Sequence, residues 1–170
     1  MKYFITEVNE KYVAPTPTDW YGIIDRKTLS RKMPSQMSRH LLFQVENHMQ
    51  MVFTDILTFP CFMVSGMVRD VIKKYDSSIW FLRIVLYDNE RKRSMAYYIP
   101  YLNQIDCMEK RDENIKDIRR IFVQKEDIKE KIIVEIANGN TSNVIMRMDL
   151  VESILRRRAV GIGLRKVDIL

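Results

Sequence analysis

Side chains able to do chemistry are few in this 170-residue chain, and their spacing does not gather them. A hydrolase needs a nucleophile, a base and an orienting group within one site. Ser65 lacks the GxSxG surroundings of a nucleophile elbow. It precedes an apolar-periodic run, MVRDVIKKY, and has a simpler task as helix N-cap. Asp106 beside Cys107 superficially suggests a thiol enzyme, but His40 and His48, the only histidines that could activate the thiol, both lie in the N-terminal half. They read as surface or turn residues. The pair Glu126-Asp127 belongs to a charged connection and reads as solvated surface. Zinc would need more ligands at closer spacing than two cysteines and two histidines offer. Neither GxGxxG nor a P-loop follows a strand. No catalytic residue, metal or cofactor is expected, and Cys61 and Cys107 read as buried, reduced thiols.

Charge is the other place to look. Twenty-eight lysines and arginines face 22 acids, a net charge of +6. The excess is spread through acid-rich segments such as EKRDENIKDIRR and KEDIKEK, whereas a nucleic-acid surface concentrates base on one face with aromatics between. Direct nucleic-acid binding, as a small basic regulatory protein, is therefore the second reading. The sharpest basic feature is the triplet Arg156, Arg157 and Arg158. It suits the end of a helix, where cations complement the dipole and long stems cover apolar surface. Adjacent helical residues point about 100° apart, so the three cannot face one phosphate row. An acidic partner could use Arg156 and Arg157 with Arg165 or Lys166.

The elements that must position these residues are clearest at the C-terminus. In VIMRMDLVESILRRRAVGIGLRKVDI, Leu150, Val151, Ile154 and Leu155 mark one buried helix face. Asp149 and Glu152 have capping-box spacing, and Gly161 suits the left-handed stop. Flanking runs, with Ile162, Leu164 and Val167 in the second, make a strand–helix–strand unit. At the other end, Lys2 to Val8 alternates as a strand. Pro15, Pro17 and Pro34 then impose an irregular arm. Trp20 and Tyr21 in this arm either pin it to the core or form an exposed partner anchor. From Leu41 two periods compete: Leu41, Phe43 and Val45, then Met49, Met51 and Phe53, step by two as strands do, while Met37, Leu41, Val45, Met49, Val52 and Ile56 fit a helix; the break at Glu46-Asn47-His48 favours a hairpin turning there. Ser65 caps a helix with Val68, Val71, Ile72 and Tyr75 inside. Ile79 to Tyr87 and Ser94 to Leu102 make a long hairpin around DNERKR, with Pro100 near a strand end. Ile105 to Met108, Arg119 to Val123 and Lys131 to Ala137 are further strands, and Asn138-Gly139-Asn140 supplies a turn.

These elements predict one α+β domain over 1–170, a largely antiparallel sheet with two principal helices packed on it. Within it, residues 1–62 hold the first strand, arm and hairpin, and residues 63–170 the main core. No run of about 18 apolar residues is present to span a membrane. The charged start, MKYFITEVNEKY, lacks a signal core, so a cytoplasmic location is expected.

Four stretches carry a family resemblance: DILTFPCFMVS (Asp55 to Ser65), VRDVIKKYDSSIWFLRIVLYD, AYYIPYLNQIDC (Ala96 to Cys107) and IMRMDLVESILRRRAVGIGL. Together they resemble immunity protein family 11 of the bacterial polymorphic toxin systems over roughly the last two-thirds of the chain. Residues 9–40 do not share in the match. The resemblance implies a non-enzymatic protein that neutralises a cognate toxin domain by covering its active surface, with no catalytic residues to carry over. Shape and charge complementarity suffice for such a blocker. An inhibitor of a basic nuclease gains from acidity, so this basic chain is expected to face a toxin that is not strongly cationic, or to gather its acids on one face.

Overall fold

A computed structural model describes residues 1–111, 119–138 and 141–170 of the chain. Its order opens with β1 (Tyr3–Val8), α1 (Arg26–Arg31), β2 (Leu42–Gln44), β3 (Ile56–Leu57), β4 (Met63–Ser65) and α2 (Gly66–Tyr75). The hairpin β5 (Phe81–Asp88) and β6 (Arg93–Pro100) follows, then β7 (Gln104–Asp106), β8 (Met108–Arg111), β9 (Arg119–Val123) and α3 (Lys125–Ile128). The chain closes with β10 (Ile133–Asn138), β11 (Thr141–Arg147), α4 (Met148–Leu155) and β12 (Ile162–Ile169).

The α+β expectation holds, with the strands divided between two mostly antiparallel sheets. One runs β7-β10-β11-β1-β12-β9-β8 and the other β2-β5-β6-β4-β3. Each takes strands from both sides of residue 62. Period-two alternation sends successive side chains to opposite faces, and here both faces are covered. On β1, Tyr3 and Ile5 enter a cluster with Val134, Ile136 and Ile145, whereas Phe4 packs on the opposite side. On β5, Leu82, Ile84 and Leu86 enter a second cluster with Tyr97 and Ile99. The third cluster lies between the sheets and joins Ile56 and Val64 to Ile133, Val144 and Met146 through α2 and α4.

Helix α2 forms as its residues dictate. Ser65 Oγ accepts the Val68 amide at 3.4 Å, and Val68, Val71 and Ile72 are buried. Each such side chain contributes about 1.5–3 kcal/mol by leaving water. Tyr75, expected inside, is half exposed, and its hydroxyl ties α2 to α4 through Ser153 Oγ at 2.6 Å and Asp149 O at 3.1 Å.

Helix α4 departs from its expected caps. It begins at Met148 after Arg147, so Asp149 lies within the first turn and Glu152 stays exposed. Arg147 holds the Asp149 carboxylate with two bonds of 2.8 Å, which replaces the capping box. Leu150, Val151 and Ile154 are buried as expected, but Leu155 is half exposed. The helix ends before the arginine triplet: Arg157 and Arg158 close short turns onto Ile154 and Leu155, and Arg158 is the first left-handed residue at φ 59°. Gly161, at φ 75°, is the second.

The expected hairpin at 41–53 does not form. Leu42–Gln44 pairs in parallel with Val85, Leu86 and Tyr87, Val45 bridges to Pro17, and Met51 bridges to Val13. The turn residue His48 is exposed and caps locally, its Nδ1 accepting the Gln50 amide at 3.1 Å. The arm itself protects the β2 edge: Thr18 N donates to Gln44 O and Glu46 N to Thr16 O. The hairpin of β5 and β6 is in register from Phe81↔Pro100 to Asp88↔Arg93. The turn expected at 138–140 and the run EKRDENIKDIRR fall partly outside the described residues, at 139–140 and 112–118. Among the described residues no helix is long and apolar enough to cross a membrane.

One carboxylate holds the β5–β6 turn. Asp88 is 2% exposed and receives the Arg91 amide at 3.3 Å and the Arg91 and Arg93 guanidinium groups at 3.2 Å. Burial opposes its charge, but these bonds outweigh it and hold the carboxyl below the usual range. A depressed folded-state pKa adds stability above the unfolded carboxylate range, and this is lost as pH falls through the folded value. Asp88→Asn is therefore expected to lower the melting temperature at about pH 7 and to reduce its further fall at about pH 3. Unchanged melting at both would contradict the assignment.

Candidate functional site

The space between the two sheets is filled by apolar side chains near α2 and α4 but opens on the side of the arm. There a cavity of about 720 Å³ is lined by both sheets and by α1. Ligand sites are typically concave clefts of about 300–1,000 Å³ with an apolar body and a few polar groups.

Helix α1 supplies the wall. Asp25 builds it locally: its carboxylate accepts the Thr28 amide at 3.0 Å, the Thr28 hydroxyl at 2.8 Å and the Gly22 amide at 2.6 Å. Burial opposes the charge, but these bonds keep Asp25 below its ordinary pKa. Arg26 then reaches across to β10, its Nε 3.3 Å from Glu135 Oε1. Glu135 lies on the same strand face as Ile133 and so points into the space between the sheets. Lys27, Leu29 and Ser30 complete the contribution of α1.

The opposite wall comes from the segment after the cis Phe59–Pro60 bond and from the end of β6. Pro60, Phe62, Ile99 and Leu102 make it apolar. Cys61 and Tyr101 add two polar groups. Burial pushes the Cys61 thiol far above its usual pKa, and the Glu135 and Asp25 charges push the same way. A thiol held protonated is a poor nucleophile. Tyr101 is likewise raised, by burial and then by Cys61. Its hydroxyl is buried and has no hydrogen-bond partner among the described residues. Cys107 lies elsewhere, in the cluster beneath the seven-stranded sheet, with its Sγ 3.3 Å from Ala137 O.

An aromatic row borders this region. Trp20 is half-buried against the cluster of β5 and β6. Its ring meets Phe59 edge-on at 5.2 Å and Tyr21 edge-on at 5.9 Å. Phe59 is 50% exposed and Tyr21 83%. The two alternatives for this pair thus fall to different residues: Trp20 pins the arm, and Tyr21 faces solvent.

No family model matches the chain, and no curated protein does.

The fold does not unite the expected partner residues. Trp20 and Tyr21 precede α1 over the five-stranded sheet, whereas Arg156 and Arg157 follow α4. Arg157 is turned back onto Ser153 O at 2.6 Å. Arg165 and Lys166 are consecutive on β12, opposite Ile5 and Phe4 of β1, and so point to opposite sheet faces. Arg165 also lies 3.7 Å from Glu7. These four do not form one basic surface.

Sequence reasoning missed Arg26, Lys27, Phe59, Tyr101 and Glu135. Asp25 was itself a usable signal for α1, since aspartate recurs as the N-cap at helix starts. Nothing local marked Tyr101 or Glu135, whose roles depend on the other sheet. Trp80, 65% exposed just before β5, falls within the run whose apolar pattern marks a strand and carries no further local signal.

Proposed function

We propose that the chain is a non-enzymatic immunity protein that binds a cognate bacterial toxin domain in the cytoplasm and covers its active surface, as its resemblance to immunity protein family 11 implies. The observation that supports the reading is the exposed aromatic row. Tyr21, 83% exposed, stands on Trp20, which is itself seated on a buried cluster and braced by Phe59. Large aromatics backed by a rigid surface serve as binding anchors, because they lose little conformational freedom when covered. A partner docking over this row needs no reactive group from the chain. The net charge of +6 favours a partner surface that is not strongly cationic.

Co-expression tests the reading. The chain is expected to restore growth to bacteria producing the toxin domain encoded beside its own gene, and to co-purify with it. Cells that die at the same rate with and without the chain, at equal toxin level, would refute it. Retention of DNA or RNA that weakens steeply with salt would instead favour the nucleic-acid reading.

A further inference from the structure

We propose that the five-stranded sheet carries a self-association surface, on which a second copy of this chain packs face to face with its strands reversed. It lies on the opposite side of that sheet from the cluster that seats Trp20, and so stands apart from the toxin-binding reading.

Cross-strand partners point to the same face of a sheet. The face beneath the arm takes Phe43, Leu82, Ile84, Leu86, Tyr97 and Ile99. The alternate residues form three rows on the other face: Arg83 with Tyr98, Leu42 with Val85 and Ala96, and Gln44 with Tyr87 and Ser94. Helix α2 covers this face only in part, over Val64, Phe81 and Tyr98. Beyond it Leu42 is 61% exposed and Val85, Tyr87 and Ala96 are half-buried. None of the four enters an apolar cluster among the described residues. A sheet face left to water is normally polar at such positions, and contiguous exposed apolar patches mark interaction sites.

The charges around the patch select the occupant. At the α2 end stand Arg83, Arg69 at 4.0 Å over the Tyr98 ring, and Lys73 at 5.8 Å from the Phe81 ring. Asp70 offsets Arg69, and Asp76 is bound to Ser78, which leaves Arg83 and Lys73. At the other end, beyond Gln44 and Tyr87, Glu46 is exposed and the β5–β6 turn adds Glu90. Against them stands Lys92, turned to Asn89 at 3.0 Å, while Arg91 is held by Asp88 and Arg93 reaches Met51 O on the side of the arm. A partner of one sign would be repelled at one of these ends. A second copy turned end for end meets each with its opposite, the self-complementary arrangement of an isologous interface. Sheets stacked about 10 Å apart then cover Leu42, Val85 and Ala96 with their counterparts. The same stacking brings each Arg83 toward the other copy's Glu46.

Three strands bury less than a standard interface, so dissociation in the micromolar range is expected. Sedimentation velocity of the full chain over about 1–300 μM reads it. A concentration-dependent dimer is the expected result. Leu42→Asp, at a position exposed enough to spare the monomer, should weaken the dimer at least about ten-fold by placing a charge in its apolar centre. Arg83→Glu and Glu46→Arg should each weaken it several fold. The two exchanges together should restore it, because the facing charges are reversed as a pair. Tyr21→Ala should leave it unchanged. The proposal is overturned by a chain that stays monomeric throughout, by a dimer indifferent to Leu42→Asp or weakened by Tyr21→Ala, or by a double exchange that associates no better than the single ones.

Discussion

Replacing Tyr21 with alanine is expected to weaken the complex with the toxin domain by about 2–4 kcal/mol, roughly 30- to 1,000-fold in Kd. The free protein should lose less than about 1 kcal/mol of stability, because Tyr21 is 83% exposed and has only an edge contact with Trp20 to give up. The separation matters, since binding lost through unfolding would say nothing about the surface. Trp20→Ala is the contrast: it removes a half-buried ring from the cluster of β5 and β6 and should lower stability as well as binding. Isothermal titration with thermal unfolding of each variant checks both parts. Full affinity in Tyr21→Ala would remove the aromatic row from the interface.

Gly161→Ala should destabilise the fold by about 3 kcal/mol, a fall of roughly 6–12 °C in melting temperature for a chain of this size. Two effects combine. Gly161 has φ 75°, a conformation in which a side chain costs about 1–2 kcal/mol. A Cβ there would also lie 2.3 Å from Thr54 Cγ2 and 2.8 Å from Thr54 Cβ. Thr54 cannot retreat easily. It is fully buried, its hydroxyl donates to Ile56 O at 2.8 Å, and its carbonyl accepts from Tyr97 Oη at 2.7 Å. The neighbouring residues are stapled too, Asp55 N to Val160 O at 2.9 Å and Val160 N to Asp55 Oδ2 at 2.6 Å. Thr54→Ser removes the nearer methyl and keeps the hydroxyl, so the double variant should recover part of the loss. A double-mutant cycle with no coupling between the two sites would contradict this packing.

This contact also shows where a sequence stops being informative. Glycine at 161 could be assigned a left-handed turn from the helix before it, and the structure keeps that conformation. The helix itself ended earlier, with Arg158 taking the first left-handed position. What makes Gly161 hard to replace is Thr54, more than a hundred residues away.

The same division runs through the whole chain. Ser65 before an apolar-periodic run, alternation on both sides of DNERKR, and the strand at Arg119–Val123 were all legible, because each depends on a few neighbouring residues and on groups they carry themselves. The α+β class followed from their order. The segment Leu42–Met51 was not legible, since its alternation records apolar faces without naming what lies against them. It chose Val85–Tyr87, Pro17 and Val13 over itself. The arm helix carrying Arg26, and the strand carrying Glu135, were brought together only by the stacking of two sheets. Local propensity is an energy of neighbouring residues, whereas a cavity is what remains between surfaces once distant strands have paired. Only the tertiary structure decides what such a space holds.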